Sequence, residues 1–84
     1  MQRQELNELF RQNLRQRRKA LKMTQIELAN QLGVDQGYIS DLERGKVKPS
    51  LGTLAPIAEA LDTVPSELLS VAAAATGNFA TISH

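Results

Sequence analysis

Start and stop signals for two consecutive short helices lie in the middle of the sequence, and they constrain the fold more than any other feature. Thr24 and Glu27 have the Thr-x-x-Glu spacing of a capping box, in which each side chain accepts a hydrogen bond from a free amide at the helix start. Gly33 ends this helix, since the residue after a helix often takes a positive φ. Asp35 is the predicted N-cap of the next helix, which Gly45 ends.

The connection between these two helices is so short that they must pack closely against each other. Ala29 lies where they approach most nearly, and a larger side chain there would push them apart. Apolar residues that face a shared core lie on both sides of the turn: Leu28, Leu32, Val34, Ile39 and Leu42. Together with the capping box, these residue types satisfy the pattern of a helix-turn-helix. A generic helical hairpin is the alternative, which the number of constraints met together disfavours.

An amphipathic helix precedes this pair, over about Glu5–Leu21. Its apolar residues recur at steps of three, four and seven: Leu6, Leu9, Phe10, Leu14 and Leu21. This spacing places them on one face, which we expect to be buried. The basic residues lie mostly on other faces. We expect four of them to form a general basic face that is mostly solvated: Arg11, Arg15, Arg17 and Lys19.

A fourth helix extends toward Leu61, and the position of Pro56 decides where it starts. If Ser50 were the N-cap, the proline would fall beyond the first turn, where it removes a hydrogen bond and bends or breaks the helix. If Thr53 is the N-cap, the proline falls in the first turn, where its missing N–H costs little. We therefore predict a start at Thr53, with residues 50–52 as a loose or 3₁₀ lead-in.

A fifth helix has Pro65 in its first turn. The Val-Ala run at residues 71–75 is expected to extend it, and Gly77-Asn78 to end it. Residues 79–84 have no periodicity and are interpreted as a loose tail.

The whole pattern predicts an all-α fold, a compact bundle of about five helices that contains the helix-turn-helix. No segment shows the alternation of a strand. The 84 residues form one small domain, which we place at residues 1–70, with residues 71–84 as an Ala-rich helical extension and loose tail. A core of this size leaves a thin stability margin, so we expect a dimer to contribute to stability.

Residue types needed for several kinds of chemistry are missing. The sequence has no cysteine, so disulfides and thiolate metal sites are excluded. Its one histidine is His84, so a zinc site is disfavoured and no metal or other cofactor is expected. The carboxylates are scattered, so an enzyme is not expected. No apolar run is long enough to span a bilayer, and the N-terminus lacks the apolar region of a secretory signal. We predict a cytoplasmic protein that does not contact a membrane.

Charge is divided unevenly along the chain, although the formal total is only +1. All ten lysines and arginines lie between Arg3 and Lys48 together with six acidic residues, a net +4, whereas the rest holds three acidic residues and no basic one, a net −3. The stretch Arg11–Lys22 has six basic residues and no acidic one. Such a face suits a polyanion such as nucleic acid. A solvated amphipathic helix is the alternative explanation.

Residues Leu14–Leu69 resemble the Cro/cI-type (Xre family, lambda-repressor-like) DNA-binding domain. The matching stretches are Leu14–Arg18 (LRQRR), Met23–Ala29 (MTQIELA), Leu32–Val34 (LGV), Tyr38–Gly45 (YISDLERG) and Lys48–Leu51 (KPSL). The resemblance implies that the third helix, about Gln36–Arg44, is the recognition helix and enters the major groove of double-stranded DNA. Members of this family usually bind pseudo-palindromic operators as dimers.

Four residues of the recognition helix are candidates for reading bases. Gln36 can bond bidentately to adenine N6 and N7, and Ser40, one turn later, faces the same way and can bond either type of base. Asp41 can accept from cytosine N4, with a specificity filter or a solvated residue as the alternative. Gly37 weakens the helix start by up to about 1 kcal/mol but lets DNA backbone or a thymine methyl group come close.

Six residues are candidates for contacts with DNA phosphates. Thr24 and Gln25 place a hydroxyl, an amide and a helix N-terminus near the DNA backbone. Tyr38 would contact phosphate through its hydroxyl rather than a base. The last three follow or end the recognition helix: Arg44, Lys46 and Lys48.

The resemblance also implies an ion pair between Arg18 and Glu43. In similar domains an arginine at this place in the first helix pairs with the glutamate near the end of the third. We rank this structural role above a DNA contact for Arg18, with an additional phosphate contact as the functional alternative.

The predicted function is a small dimeric transcriptional regulator without an effector domain, controlled through its concentration and operator occupancy. An antitoxin that binds a toxin and represses its own operon is the alternative. Phe79 and Ile82 in the C-terminal stretch could then form a docking segment, although a dimer contact or disorder would serve as well. Gel filtration would show a homodimer, whereas co-purification with a neighbouring gene product would indicate the antitoxin.

Overall fold

A computed structural model describes residues 3–71, which form five helices. These are α1 (Arg3–Ala20), α2 (Gln25–Leu32), α3 (Gln36–Arg44), α4 (Leu51–Ala60) and α5 (Pro65–Leu68). All regular structure within residues 3–71 is helical, which confirms the predicted all-α class. The predicted C-terminal tail and its candidate docking residues lie outside the described residues.

The caps of α2 and α3 match the signals in the sequence. The Glu27 N–H donates to Thr24 Oγ1 at 3.0 Å, and the Thr24 N–H donates to Glu27 Oε1 at 2.8 Å, which confirms the capping box. Gly33 and Gly45 follow the two helices with φ of 70° and 78°, in the left-handed region that glycine enters at little cost. Asp35 has the extended backbone of an N-cap, but its side chain makes no capping hydrogen bond.

One core joins all five helices. Helix α1 packs against α3 and α5, α2 packs against α3 and α4, and α4 packs against α5. Ala29 of α2 is buried, and α2 and α3 pack against each other as predicted. The remaining buried apolar residues come from every helix and the turn after α4: Phe10, Leu14, Leu28, Ile39, Leu42, Ile57, Ala58, Leu61 and Leu68.

The buried face of α1 differs from the predicted one. Leu6 and Leu21 are exposed, whereas Asn13 and Arg17 are buried. Arg17 was expected to be mostly solvated, and this expectation is wrong: its Nε donates to the carbonyl oxygen of Leu61 at 2.7 Å, and a second nitrogen donates to that of Asp62 at 2.8 Å. Leu61 and Asp62 lie in the turn directly after α4, and the guanidinium can be buried because its N–H groups find acceptors in these carbonyl oxygens.

Helix α4 starts earlier than predicted, because Ser50 rather than Thr53 is its N-cap. The Ser50 N–H donates to Thr53 Oγ1 at 2.9 Å, and the Thr53 N–H donates to the Ser50 carbonyl at 3.1 Å. Pro56 therefore lies inside the helix. It leaves the Gly52 carbonyl without its usual partner, but both residues are exposed, so water can hydrate that oxygen.

Helix α5 is a single turn and does not continue into the Val-Ala run as predicted. It ends at Leu68, and Val71 is helical again only after an interruption. The Asn13 side-chain amide donates to the carbonyl oxygens of Leu68 at 2.8 Å and of Ser70 at 3.1 Å. These bonds connect the backbone on both sides of Leu69, where the helix is interrupted, to α1.

Candidate nucleic-acid interface

Helix α3 separates a buried side from a polar side. Ile39, Leu42 and Glu43 are buried, which turns the opposite side of the helix outward. The four candidate base-reading residues lie on this outward side in two pairs one turn apart, Gln36 with Ser40 and Gly37 with Asp41. Near the helix start, Gln36 and Gly37 are exposed. One turn later, Ser40 and Asp41 are half-buried.

Behind this polar surface, Arg18 of α1 contacts Glu43 of α3. Arg18 Nε lies 2.6 Å from Glu43 Oε2, and a second guanidinium nitrogen lies 2.9 Å from Oε1. The third nitrogen donates to the Met23 carbonyl at 2.8 Å. The hydrogen bonds and charge of Glu43 raise the pKa of Arg18, so the buried guanidinium stays charged. This bidentate pair joins α1 to α3 with good geometry.

Two glutamines extend this contact from the core to the surface. Gln25, the first residue of α2, donates through Nε2 to Glu43 Oε1 at 3.1 Å. Its Oε1 accepts a hydrogen bond from Gln36 Nε2 at 2.6 Å. The structure thus brings together two residues predicted for different contacts, Gln25 for a phosphate and Gln36 for a base.

The candidate phosphate contacts border the polar surface at two places. Thr24, at the start of α2, is exposed, and its hydroxyl already accepts the capping bond. The hydrogen bond from the Thr24 amide lowers the pKa of the Glu27 carboxyl, because it stabilises the ionised form. At the other side, Lys46 and Lys48 are exposed in the loop after α3. Tyr38 is half-buried and packs against the core.

Arg15, predicted to lie on a solvated face of α1, belongs to this surface. It lines a cleft with residues from α1, α2 and α3: Arg18, Gln25, Ser40, Glu43 and Arg44. Spacing could have revealed it, since Arg15 and Arg18 are three residues apart and share a helix face. Arg11 differs, because it is half-buried and forms an ion pair with Glu8.

A second cleft lies at the start of α2. Its lining combines basic side chains with polar ones: Arg18, Lys19, Lys22, Thr24, Gln25 and Gln36, together with the apolar Met23 and Ile26. A helix start with free amides and neighbouring lysines suits an anion such as phosphate. The basic residues on α1 therefore continue the polar surface of α3 across α2.

Features of other kinds of site are absent from the residues that the structure describes. Within them, no group of three or more His, Cys, Asp or Glu side chains could hold a metal ion. No helix of that part of the chain is long and apolar enough to cross a membrane.

The short pair α2 and α3, their tight turn and the polar side of α3 define a helix-turn-helix domain. The model of the helix-turn-helix family matches residues 14–69, and the chain belongs to this family. The resemblance found in the sequence is thereby confirmed.

Two relatives match about 60% of the chain. An uncharacterized HTH-type transcriptional regulator of Sinorhizobium fredii is 49% identical over 51 residues, which are 61% of this chain and 26% of that protein. The immunity repressor protein of Bacillus phage phi105 is 40% identical over 50 residues, which are 60% of this chain and 35% of that protein. The aligned residues thus span about a third or less of these relatives. No solved structure matches the chain significantly.

Proposed function

We propose that this protein is a sequence-specific regulator of transcription that acts in the cytoplasm by inserting α3 into the major groove of double-stranded DNA. The observation that carries this proposal is the polar side of α3, which faces outward while Ile39, Leu42 and Glu43 fix the opposite side in the core. The helix-turn-helix family supports DNA binding, and the regulator and repressor among the relatives support a role in transcription.

Base reading is assigned to Gln36, Gly37, Ser40 and Asp41. Gln36 and Ser40 supply donors and acceptors one turn apart, which suits successive base edges in the major groove. A Cβ atom at Gly37 would meet no atom within 4 Å, so packing within the protein does not require glycine there. The space is therefore available to DNA. Asp41 discriminates by accepting from cytosine N4 and by repelling acceptors.

Phosphate contacts are assigned to residues on both sides of α3. Thr24 and Gln25 act at the start of α2, where free amides favour an anion. On the other side the contacts come from Tyr38, Arg44, Lys46 and Lys48. Arg15 is added because it lines the same cleft as Ser40 and Arg44. These contacts fix the register of α3 but carry no sequence information.

We assign the active form to a homodimer on a pseudo-palindromic operator. Helix α3 has only nine residues and presents one short polar surface, so one protomer reads a half-site. A second protomer also supplies phosphate contacts that raise affinity. Leu51 at the start of α4 is 89% exposed and Val64 directly before α5 is 53% exposed, and both are available for burial by a partner.

Selection of bound sequences from random duplex DNA tests this function. We expect the wild-type protein to enrich two half-sites in inverted orientation at fixed spacing. The Gln36→Ala variant should retain binding but relax the preference at one base pair of each half-site, at a cost of about 1–3 kcal/mol on the selected duplex. Enrichment of no sequence by the folded wild-type protein would contradict the proposal.

The mass of the protein in solution, measured by light scattering during gel filtration, tests the dimer. A homodimer alone on the selected duplex is expected. A stable complex with a toxin, together with repression of the operon that encodes both proteins, would instead indicate the antitoxin.

A further inference from the structure

A continuous series of hydrogen bonds connects the buried Arg18–Glu43 pair to the first residue of α3. Glu43 Oε1 accepts from Gln25 Nε2 at 3.1 Å, and Gln25 Oε1 accepts from Gln36 Nε2 at 2.6 Å. Glu43 is buried, Gln25 is half-buried and Gln36 is exposed. The series therefore runs from the core to the outward side of α3.

The orientation of both amides follows from the chemistry of the carboxylate. An ionised carboxylate can only accept hydrogen bonds, so the Gln25 atom that faces Glu43 must be the NH₂ nitrogen. The opposite end of that amide is then its oxygen. Because this oxygen can only accept, the Gln36 atom beside it must be the NH₂ nitrogen as well. Glu43 thus orients the amide of Gln25, which it contacts, and through Gln25 the amide of Gln36.

This orientation decides what Gln36 offers to a base. One N–H of Gln36 is used by Gln25, which leaves its carbonyl oxygen and one further N–H. Adenine presents an N6 donor and an N7 acceptor in the major groove and matches this pair. Guanine presents acceptors at both O6 and N7, so the Gln36 oxygen would face an acceptor.

We infer that Glu43 is a positioning residue for base specificity: through Gln25 it orients the Gln36 amide and sets a preference for adenine over guanine at the base pair that Gln36 contacts. This inference rests on the proposed function, since it requires α3 to contact base edges. It gives the Arg18–Glu43 pair a second role besides joining α1 to α3, because Arg18 holds the carboxylate whose charge fixes the series.

The Glu43→Gln variant tests the inference on DNA. Its side chain keeps the shape of glutamate but has one donor and one acceptor, so Gln25 and Gln36 can reverse. We expect the preference for adenine over guanine at the Gln36 position to fall by about fivefold or more, measured by competition between duplexes that differ only there. Glu59→Gln removes the same charge from the exposed surface of α4 and should leave the preference unchanged.

Gln25→Met provides a second test if Glu43→Gln fails to fold. It interrupts the series at its middle and leaves the Arg18–Glu43 pair in place. The overall affinity is expected to fall because a phosphate contact is lost, and the adenine preference should fall in addition. If either folded variant lost affinity equally for all bases while keeping the wild-type preference, the inference would be wrong and the proposed function would stand. Absence of any sequence selection by the wild-type protein would overturn both.

Nuclear magnetic resonance of the free protein gives a readout that does not depend on DNA. The side-chain ¹⁵N–¹H signals of Gln25 and Gln36, assigned by their alanine variants, should shift in Glu43→Gln toward the values of a solvated glutamine. They should remain in place in Glu59→Gln. Unchanged Gln36 signals in folded Glu43→Gln would show that the carboxylate does not orient this amide, and the inference would fail.

Discussion

Helix α1 holds two regions of the molecule through neighbouring arginines, and it does so in different ways. In the helix-turn-helix region, residues 24–45, Arg18 contacts the carboxylate of Glu43. In the C-terminal region, residues 50–71, Arg17 contacts backbone carbonyls in the turn after α4. The first contact continues through side chains to the surface of α3, whereas the Arg17 contacts with Leu61 and Asp62 are made to backbone atoms. Under the proposed function, the first contact couples stability to recognition, whereas we expect the contacts of Arg17 with Leu61 and Asp62 to affect stability and not base preference.

Removal of the carboxylate from the helix-turn-helix region should have the largest effect. The Glu43→Ala variant leaves the Arg18 guanidinium buried without its ionic partner, and we expect the free energy of unfolding to fall by about 3–5 kcal/mol. Urea denaturation followed by circular dichroism measures this loss. Glu59→Ala, an exposed glutamate on α4, serves as the control and should change stability by less than about 0.5 kcal/mol. A variant as stable as this control would show that the Arg18–Glu43 pair contributes nothing to the fold.

A smaller loss is expected from the contact that holds the C-terminal region. The Arg17→Ala variant leaves the Leu61 and Asp62 carbonyls without a donor, and we expect a loss of about 2–4 kcal/mol. If the contrast between the two arginines is right, the folded variant keeps the wild-type base preference, measured on the selected duplex and its single-base variants. Lys19→Ala, an exposed change two residues away, is the matched control for stability. A changed base preference in Arg17→Ala would show that Arg17 also affects recognition, and the difference between the two arginines would not hold.

The same contrast explains which parts of the fold were predictable from the sequence. The ends of α2 and α3 are set by residue types close in sequence, such as Thr24 with Glu27 and the glycines at 33 and 45, so they were predicted correctly. The contacts of Asn13 and Arg17 were not predicted. Their partners are backbone carbonyls 55 and 44 residues further along the chain, and a carbonyl is present at every residue, so no residue type marks it.

The start of α4 and the series through Gln25 show two further reasons for incomplete prediction. The predicted start of α4 at Thr53 depended only on the hydrogen bond that Pro56 removes from a helix. The hydrogen bond between Ser50 and Thr53 and the exposure of Gly52 make the earlier start possible. In the candidate site, the residue types of α3 indicated which side chains face outward. Their connection to Glu43 depends on distances between α1, α2 and α3, which one sequence does not contain.

Within the helix-turn-helix region, substitution of Gly37 should raise the stability of the fold and weaken DNA binding. The Gly37→Ala variant adds a methyl group in open space on α3, and we expect it to stabilise the protein by about 0.5–1 kcal/mol because alanine has the higher helix propensity. Binding to the selected duplex should weaken, since the methyl group occupies space assigned to DNA. Thermal denaturation and fluorescence anisotropy measure the two effects. Tighter or unchanged binding would remove Gly37 from the interface.

The smallest effect is expected at Lys46, in the loop that joins the two regions. This side chain is exposed, so Lys46→Ala should leave the free energy of unfolding within about 0.5 kcal/mol of the wild type. If Lys46 contacts a phosphate, the variant weakens binding to all duplexes alike and reduces the slope of log affinity against log salt concentration by about 1. Titrations of matched and single-base variant duplexes at several salt concentrations measure both quantities. A loss confined to certain sequences would instead show that Lys46 reads bases, and the base-reading surface would then extend beyond α3 into the loop.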